Sequence, residues 1–368
     1  MLTHLLIENY RCFEQAITIE PGPLTLLVGP NGAGKSTVFD SLWNVRQLVV
    51  AGGSALELFP DSTRTRWGRQ TAQRFELGFR GPDGDYTYRL AIRHGKRANQ
   101  GYIEREEILH ERKPLYTFFR EEVRIHTDEL SGAIRFPAGN KLSPLSNLPR
   151  YVRSKRVDWV TERIARIWVF RPVPPKLVSV TELQGDFLEP DLSNFASWLL
   201  AMHKARPKLR STLKQSLKIV LEGFLNYNFA PLGRKTFVLG FLFSSPHRRS
   251  TLIPFTFEEL SEGQRALVVL YTLLHAVPDD ATLCIDEPEE FLSPREIQPW
   301  LNLLMEKTEG GGGQALLISH NPGLIDFLAP SNGLLLARPD GGPVQVMHMP
   351  TDDSGLPLSE LLARGWLE

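Results

Sequence analysis

A glycine-rich loop between an apolar segment and a helical pattern restricts the fold of this chain more than any other feature. Residues 29–37 read GPNGAGKST, which matches the pattern G-x-x-x-x-G-K-[S/T] in full. The apolar run at 24–28 is typical of a strand buried on both faces of a sheet, and residues 37–49 predict a helix. Glycines let the backbone wrap around phosphates, and the helix adds its positive N-terminal end. The loop therefore predicts a nucleoside triphosphate site.

The loop offers individual groups to the phosphates and to a metal ion. Lys35 is positioned to neutralise the β- and γ-phosphates and is the predicted catalytic lysine. The Ser36 hydroxyl is positioned to ligate Mg²⁺. The loop residues predicted to bind the nucleotide are Asn31, Gly32, Ala33, Gly34, Lys35, Ser36 and Thr37.

An acidic pair follows a second apolar strand pattern. Residues 282–285 predict the strand, and Asp286 and Glu287 come directly after it. We expect Asp286 to lie near the metal ion and Glu287 to polarise an attacking water as the general base. Loops after strands often carry acids, so the pair is informative only because the glycine-rich loop precedes it. Cys284 is expected to be a small buried strand residue.

Two shorter motifs occur in the last third of the chain. Residues 260–264 read LSEGQ immediately before an apolar helical pattern, where Ser261 and Gly263 would form an anion site at a helix start. His320 follows the predicted strand at 315–318. A histidine there could contact a γ-phosphate, although by itself it would more often be structural.

Together these motifs resemble those of ABC-type ATPases, whose signature is LSGGQ and whose histidine switch follows the last core strand. The resemblance implies ATP and Mg²⁺ as ligands, ATP hydrolysis, and an ATP-dependent homodimer with two sandwiched nucleotides. It implies that Ser261 and Gly263 of one protomer, with Gln264 beside them, cap the γ-phosphate bound by residues 29–36 of the other. Glu262 replaces the usual glycine, which we expect to be tolerated because only the flanking residues face the phosphate.

Two further segments, residues 2–13 and 286–294, resemble the SMC/RecF/OLD-like branch of this family rather than transporters. Residues 2–13 look like its first strand, which would place Arg11 near the nucleotide. Residues 286–294 resemble its DEPE-x-x-L-H-P pattern, with Ser293 in place of the histidine, whose role is therefore not carried over. The resemblance, to standalone AAA-21 or AAA-15/OLD-like ATPases, covers nearly the whole chain. The glutamine that senses the γ-phosphate in this family cannot be placed, and its candidates are expected by default to be surface residues: Gln70, Gln73 and Gln100.

The alternation of strands and helices predicts an α/β fold with a mainly parallel sheet. The resemblance implies the P-loop NTPase type with a helical insertion between the two halves of the core, and an antiparallel β subdomain is also expected. Residues 74–80 and 86–94 predict a hairpin around GPDG at 81–84. The predicted regions are 1–95, the N-terminal half of the core; 96–250, a basic and largely helical insertion; and 251–368, the C-terminal half with the signature, Asp286 and His320.

The formal net charge of zero hides an asymmetry along the chain. Lys and Arg number 12 against 9 Asp and Glu in residues 1–100, 25 against 15 in 101–250, and 5 against 18 in 251–368. The basic middle predicts contact with duplex DNA, and the residues proposed for it are Arg150, Arg153, Lys155, Arg156, Arg163 and Arg166. A second group, from Lys204 to Lys218, lies on predicted helices. The alternative is a solvated or protein-binding surface.

The sequence restricts the class of protein further. No window of 18 apolar residues predicts a membrane span, two cysteines exclude a disulfide framework, and we expect a cytoplasmic protein. The absence of a long heptad pattern argues against a long-armed repair ATPase. Because only 46 residues follow Pro322, we expect no TOPRIM nuclease domain and a separate effector for any nucleic-acid cutting.

The predicted function is an ATPase that gates a DNA-linked process, such as DNA maintenance or anti-phage defence. The alternative is a nucleotide-switched scaffold without DNA contact.

Overall fold

The computed structural model describes residues 1–95, 101–126, 133–149, 152, 154–182, 187–245, 252–310, 312–349 and 355–367. Its strands are β1 (Leu2–Glu8), β2 (Ile17–Ile19), β3 (Leu24–Val28), β4 (Ala72–Gly81), β5 (Gly84–His94), β6 (Gly101–His110), β7 (Lys113–Phe119), β8 (Glu122–His126), β9 (Ala133–Pro137), β10 (Ile167–Phe170), β11 (Val180–Glu182), β12 (Phe224–Pro231), β13 (Thr236–Ser244), β14 (Leu252–Thr256), β15 (Thr282–Asp286), β16 (Gln314–Ile318), β17 (Gly333–Ala337) and β18 (Gln345–His348). Its α-helices are α1 (Lys35–Arg46), α2 (Ala55–Leu58), α3 (Lys155–Ala165), α4 (Phe195–Ala205), α5 (Pro207–Val220), α6 (Glu262–Ala276), α7 (Pro294–Glu309), α8 (Pro322–Asn332) and α9 (Leu358–Ala363).

The chain forms two compact units, each built from more than one segment. Unit 1 comprises Met1–Val169, Asp280–Cys284 and Gly311–Glu368, and unit 2 comprises Phe170–Asp279 and Ile285–Gly310. This division differs from the predicted boundaries at 95 and 250. The reason is that β6 to β9 extend the sheet that begins with β1 and β4, so that residues on both sides of position 95 share one sheet.

The strand before the glycine-rich loop lies in the middle of a six-stranded sheet with the order β10-β15-β16-β3-β17-β18. β3 pairs in parallel with β16 on one side and with β17 on the other, and every residue of these three strands is buried. Their nearly continuous apolar sequences agree with strands that are covered on both faces. Behind the loop, α1 buries Phe39 and Leu42 in a cluster that also contains Leu27 of β3 and Phe75 of β4.

Unit 1 also contains an eight-stranded sheet with the order β2-β1-β4-β5-β6-β7-β8-β9, in which neighbouring strands are antiparallel. The predicted hairpin at 74–94 is confirmed as β4 and β5. The prediction that residues 96–250 are largely helical is corrected, because β6 to β9 and β10 to β13 lie in that range. The sequence of β6, GYIEREEILH, does not indicate a buried strand, because it carries a carboxylate at a buried position. Glu106 is fully buried and accepts hydrogen bonds from the hydroxyls of Tyr88, Tyr116 and Ser143.

Unit 2 combines a small antiparallel sheet with helices α4 to α7. β13 pairs with β12 along one edge, and β11 and β14 pair with successive parts of β13. α5 contributes apolar residues at a spacing of four to the interior: Leu209, Leu213 and Leu217. The indole N–H of Trp300 on α7 donates a hydrogen bond to the carbonyl of Leu270 on α6 at 3.0 Å. Among the described residues, we find no helix that combines the length and the apolar character needed to cross a membrane.

Candidate functional site

The glycine-rich loop connects β3 to α1 in unit 1, and two of its glycines are required by close neighbours. A Cβ at Gly29 would lie 2.0 Å from the carbonyl oxygen of Leu336, and one at Gly34 would lie 2.7 Å from the Sγ atom of Cys12. Gly32 differs, because its Cβ position has no atom within 4 Å while its φ is +80°. The loop is thus packed against β17 and the β1–β2 connection at its two ends and open at its middle.

Lys35 closes the loop on itself. Its ammonium group donates hydrogen bonds to the carbonyls of Gly29 at 2.7 Å and Pro30 at 3.0 Å, and the residue is 5% exposed. α1 begins at Lys35, and its N-cap Gly34 has no side chain that could satisfy the first N–H groups of the helix. A buried cation and the positive N-terminal end of a helix at one loop suit a polyphosphate. Ser36 supplies a hydroxyl oxygen of the kind that Mg²⁺ prefers.

Arg11 lies beside the first turns of α1. Its backbone is left-handed, with φ +51°, and its guanidinium donates a hydrogen bond to the carboxylate of Asp40. The next residue, Cys12, lies against Gly34, and burial raises the pKa of its thiol. The segment that carries Arg11 therefore packs on the glycine-rich loop, although contact of Arg11 with a nucleotide stays a prediction.

His320 leaves the sheet at the same edge as the glycine-rich loop. Ile318, the last residue of β16, pairs with Leu27 of β3, so the residues after each strand emerge side by side. His320 is exposed, and the following Asn321 caps α8 by accepting hydrogen bonds from the N–H groups of Gly323 and Leu324. Within unit 1, the structure thus brings together two of the predicted elements, the loop and the histidine.

The predicted acidic pair lies in unit 2, where an unpredicted arginine accompanies it. Arg171 donates to the carboxylate of Asp286, with 2.9 Å between its Nε atom and the Oδ2 atom of Asp286. The Asp286 side chain is 12% exposed. Glu287 has a left-handed backbone with φ +53°. Burial raises the pKa of Glu290, and the charges of Glu287, Glu262 and Asp286 raise it further. Asp286 and Glu287 therefore belong to a group of neighbouring carboxylates, and Arg171 balances part of its charge.

The signature-like residues have structural roles within unit 2. Ser261 caps α6: its hydroxyl accepts from the N–H of Gln264 at 3.2 Å, and the Gln264 side chain accepts from the N–H of Ser261 at 3.0 Å. A Cβ at Gly263 would lie 2.8 Å from the carbonyl oxygen of Phe291. The glycine thus lets the segment after Glu287 approach the start of α6. The phosphate contacts implied by the resemblance stay predictions.

Of the three glutamines considered as the γ-phosphate sensor, the structure describes two. Gln73 corrects the expectation of a surface residue, because it is fully buried and hydrogen-bonds Thr63 at 3.1 Å and His94 at 2.8 Å. Gln70 is exposed, and its carbonyl accepts from the side chain of Asn9. Gln100 lies outside the described residues. The internal bonds of Gln73 make it a poor candidate for a phosphate sensor.

The basic residues proposed for DNA contact are largely engaged with carboxylates. Arg163 and Arg166 both donate to Asp280 of unit 1, and Arg156 donates to Asp83 at 3.0 Å. Lys155 begins α3. Arg150 and Arg153 lie outside the described residues. The ion pairs lower the positive potential that the sequence predicts for this segment.

Comparison with known proteins gives one family, one curated relative and solved structures of similar fold. The model of the family AAA_21, described as "AAA domain, putative AbiEii toxin, Type IV TA system", matches residues 24–326. The OLD nuclease of Thermus scotoductus (strain ATCC 700910 / SA-01) is 24% identical over 357 residues, which cover 89% of this chain and 60% of that protein. The chain thus spans three fifths of the length of the curated relative it matches.

Two solved structures share the fold of this chain. One is an Smc head bound to the C-winged helix domain of ScpA, with 11% identity, coverage of 95% of this chain and 98% of the other, and a TM-score of 0.57. The other is an Smc head domain with an extended coiled coil bound to the C-terminal domain of ScpA, derived from Pyrococcus furiosus, with 12% identity, coverage of 94% and 96%, and a TM-score of 0.52. At these identities they show the fold alone, and they confirm the predicted P-loop NTPase class.

Proposed function

Because the chain belongs to the AAA_21 family of AAA domains, we propose that it binds ATP with Mg²⁺ in the loop between β3 and α1 and hydrolyses it. The predicted resemblance to the SMC/RecF/OLD-like branch is confirmed by the family and by the OLD nuclease relative. The observation that carries the proposal is the loop itself. It joins a buried strand to a helix start and holds the Lys35 ammonium on its own carbonyls, 2.7 and 3.0 Å away.

The residues of this chain would divide the chemistry as follows. Backbone N–H groups of residues 29–36 and the Lys35 ammonium bind the β- and γ-phosphates, and the oxygens of Ser36 and Asp286 hold Mg²⁺. Glu287 accepts a proton from the attacking water, and His320 contacts the γ-phosphate. Mg²⁺ supplies positive charge that neutralises the phosphates. These roles are supported by residue type and by the order of the motifs along the chain.

We further propose an ATP-dependent homodimer that gates a DNA-linked process, with a separate effector such as a nuclease. Ser261 and Gly263 of one protomer, with Gln264, cap the γ-phosphate held by the other. Support comes from the position of Ser261 and Gly263 at the start of α6, where helix N–H groups favour an anion. Hydrolysis would then release the two protomers, so that the energy of ATP is used for motion.

Substitution of Lys35 tests the nucleotide site. Lys35→Ala removes the ammonium group that neutralises the phosphates, and we expect ATP binding measured by isothermal titration calorimetry to weaken at least a hundredfold. Lys141→Ala, which removes an exposed cation elsewhere in unit 1, should bind ATP like the unchanged protein. Equal affinity of the two variants for ATP would refute the assignment of the loop.

Substitution of Ser261 tests the composite dimer. Ser261→Arg places a bulky cation where the second protomer would meet the nucleotide, so ATP should bind while size-exclusion chromatography with ATP and Mg²⁺ shows a monomer. The matched control is Ser293→Arg, which removes an equivalent capping-box serine at the start of α7. The dimer proposal fails if both variants dimerise equally, or if Ser261→Arg alone abolishes ATP binding.

A further inference from the structure

A row of cations on α5 differs from Arg156, Arg163 and Arg166, which each donate to a carboxylate. The row consists of Arg210, Lys214 and Lys218, which recur at the helical spacing of four, and we call it the α5 cation row. At 100° per residue it lies on a different side of α5 from the buried leucines. Arg210 and Lys218 are exposed, and Lys214 is partly exposed.

No member of the row has an ion-pair partner among the residues that the structure describes. The surrounding sequence supplies no acid either: residues 195–220, which span α4 and α5, contain no Asp or Glu. Their cations are Lys204, Arg206, Lys208, Arg210, Lys214 and Lys218. Glu222 follows the helix and does not pair with Lys218. No described residue of unit 2 therefore pairs with the positive charge of the row.

This arrangement costs stability. Like charges at a spacing of four destabilise a helix by about 0.2–0.5 kcal/mol for each pair. The first turn of α5 has no acidic residue, and it carries Lys208 and Arg210 at the end of the helix where cations are disfavoured. A row that weakens its own helix and pairs with no carboxylate among the described residues points to an anionic ligand outside the fold.

The length and uniform sign of the row identify the class of that ligand. Eight residues of helix rise about 12 Å, and one strand of B-DNA carries a charge every 3.4 Å or so along its axis. The row thus matches three or four successive phosphates. An acidic protein partner would favour aromatic or apolar anchors at the centre of the contact rather than a row of like charges. We propose that the α5 cation row binds the phosphate backbone of duplex DNA.

This assignment rests on the proposed DNA-linked function for the identity of its ligand, but it does not depend on the nucleotide site. It replaces the α3 segment as the principal DNA contact, because Arg156, Arg163 and Arg166 already donate to carboxylates. Phosphate contacts of this kind would position the duplex without reading its sequence.

The test compares two variants with the same change in charge. In the first, Arg210, Lys214 and Lys218 are all replaced by Gln; in the second, three exposed cations of unit 1 that have no ion-pair partner among the described residues, Lys113, Arg135 and Lys141, are replaced by Gln. Fluorescence anisotropy with a labelled duplex at about 50 and 200 mM salt gives the affinity and its salt dependence. A thermal unfolding curve of each variant verifies that it folds.

We expect the α5 variant to lose at least tenfold in affinity at the lower salt, and its log–log salt slope to fall by about 3, one for each lost phosphate contact. The control should bind like the unchanged protein, and Arg210→Lys, which preserves the charge, should retain most of the affinity. Equal losses in the two triple variants would overturn the proposal. So would an unchanged protein that ignores DNA but binds polyglutamate, which would indicate an acidic protein partner. Either result would leave the Lys35→Ala test of ATP binding unaffected.

Discussion

Two basic segments of this chain have similar compositions and different surroundings. In α3 and the turn after it, Arg163 and Arg166 share the carboxylate of Asp280, and the Arg163 side chain is only 12% exposed. The α5 cation row has no such partner among the described residues. The same residue types therefore stabilise the fold in one segment and remain available to a ligand in the other. Partners distant in sequence make the difference, since Asp280 lies 117 positions from Arg163.

The two basic segments should differ most in how much their arginines contribute to the free energy of unfolding. Arg163→Ala removes two hydrogen bonds to Asp280 and the stacking of the guanidinium on Trp159, 5.5 Å away. We expect the free energy of unfolding in urea to fall by about 2 kcal/mol, the lower part of the range for charged hydrogen bonds because the Asp280 carboxylate is partly exposed. Arg210→Ala should change it by less than about 0.5 kcal/mol. Comparable losses in the two variants would remove the distinction between the segments.

Acid should reduce the difference in stability between the unchanged protein and Arg163→Ala. Burial raises the pKa of Asp280, but the hydrogen bond from Arg163 and the charges of Arg163 and Arg166 outweigh it, so that its pKa lies below the ordinary 3.8. A carboxyl with a lowered folded-state pKa contributes stability above its unfolded-state pKa and loses it as the pH falls through the folded-state value. We therefore expect the stability difference between the unchanged protein and Arg163→Ala to shrink below about pH 4.

Urea midpoints of both proteins at neutral pH and near pH 3 measure this effect. The α5 triple Gln variant serves as the reference, because it should lose stability in acid in parallel with the unchanged protein. A difference between the unchanged protein and Arg163→Ala that is as large near pH 3 as at neutral pH would show that the Asp280 carboxylate is not the partner that matters, since the bond to the Asp280 carbonyl and the contact with Trp159 do not titrate.

A smaller expected change in stability comes from reversing the charge of one residue on α5. Lys214→Glu converts two repulsive pairs, with Arg210 and Lys218, into attractive ones at a spacing of four, so stability should rise by about 1 kcal/mol. DNA affinity should fall at the same time, because an acid then interrupts the row. Lys214→Gln should be intermediate in both properties. Loss of stability in Lys214→Glu would mean that the row is not repulsive in the folded chain.

The parts of the fold that depend on local pattern could be predicted from the sequence. The strand expected at 282–285 is β15, Thr282–Asp286, and the apolar helical pattern expected beside residues 260–264 is α6, Glu262–Ala276. Short apolar runs, glycines and capping serines define these elements within a few neighbouring residues. The same holds for the glycine-rich loop, whose flanking strand and helix are both confirmed.

The parts that depend on distant partners could not be predicted. β6 carries Glu106, which is tolerated in a buried strand only because Tyr88, Tyr116 and Ser143 donate to it. Nothing in the sequence links Arg171 to Asp286, which it accompanies in unit 2. The burial of Gln73 likewise depends on Thr63 and His94, and no local pattern indicates these partners.

Coupling of ATP hydrolysis to DNA bound by α5 can be measured as the steady-state ATPase rate with and without duplex DNA. Glu287→Gln serves as the blank, because it lacks the proposed general base. We expect DNA to raise the rate of the unchanged protein, and the α5 triple Gln variant to keep its basal rate without being stimulated. A rate that DNA leaves unchanged in the protein itself would contradict this coupling and favour a nucleotide-switched scaffold whose activator is another protein.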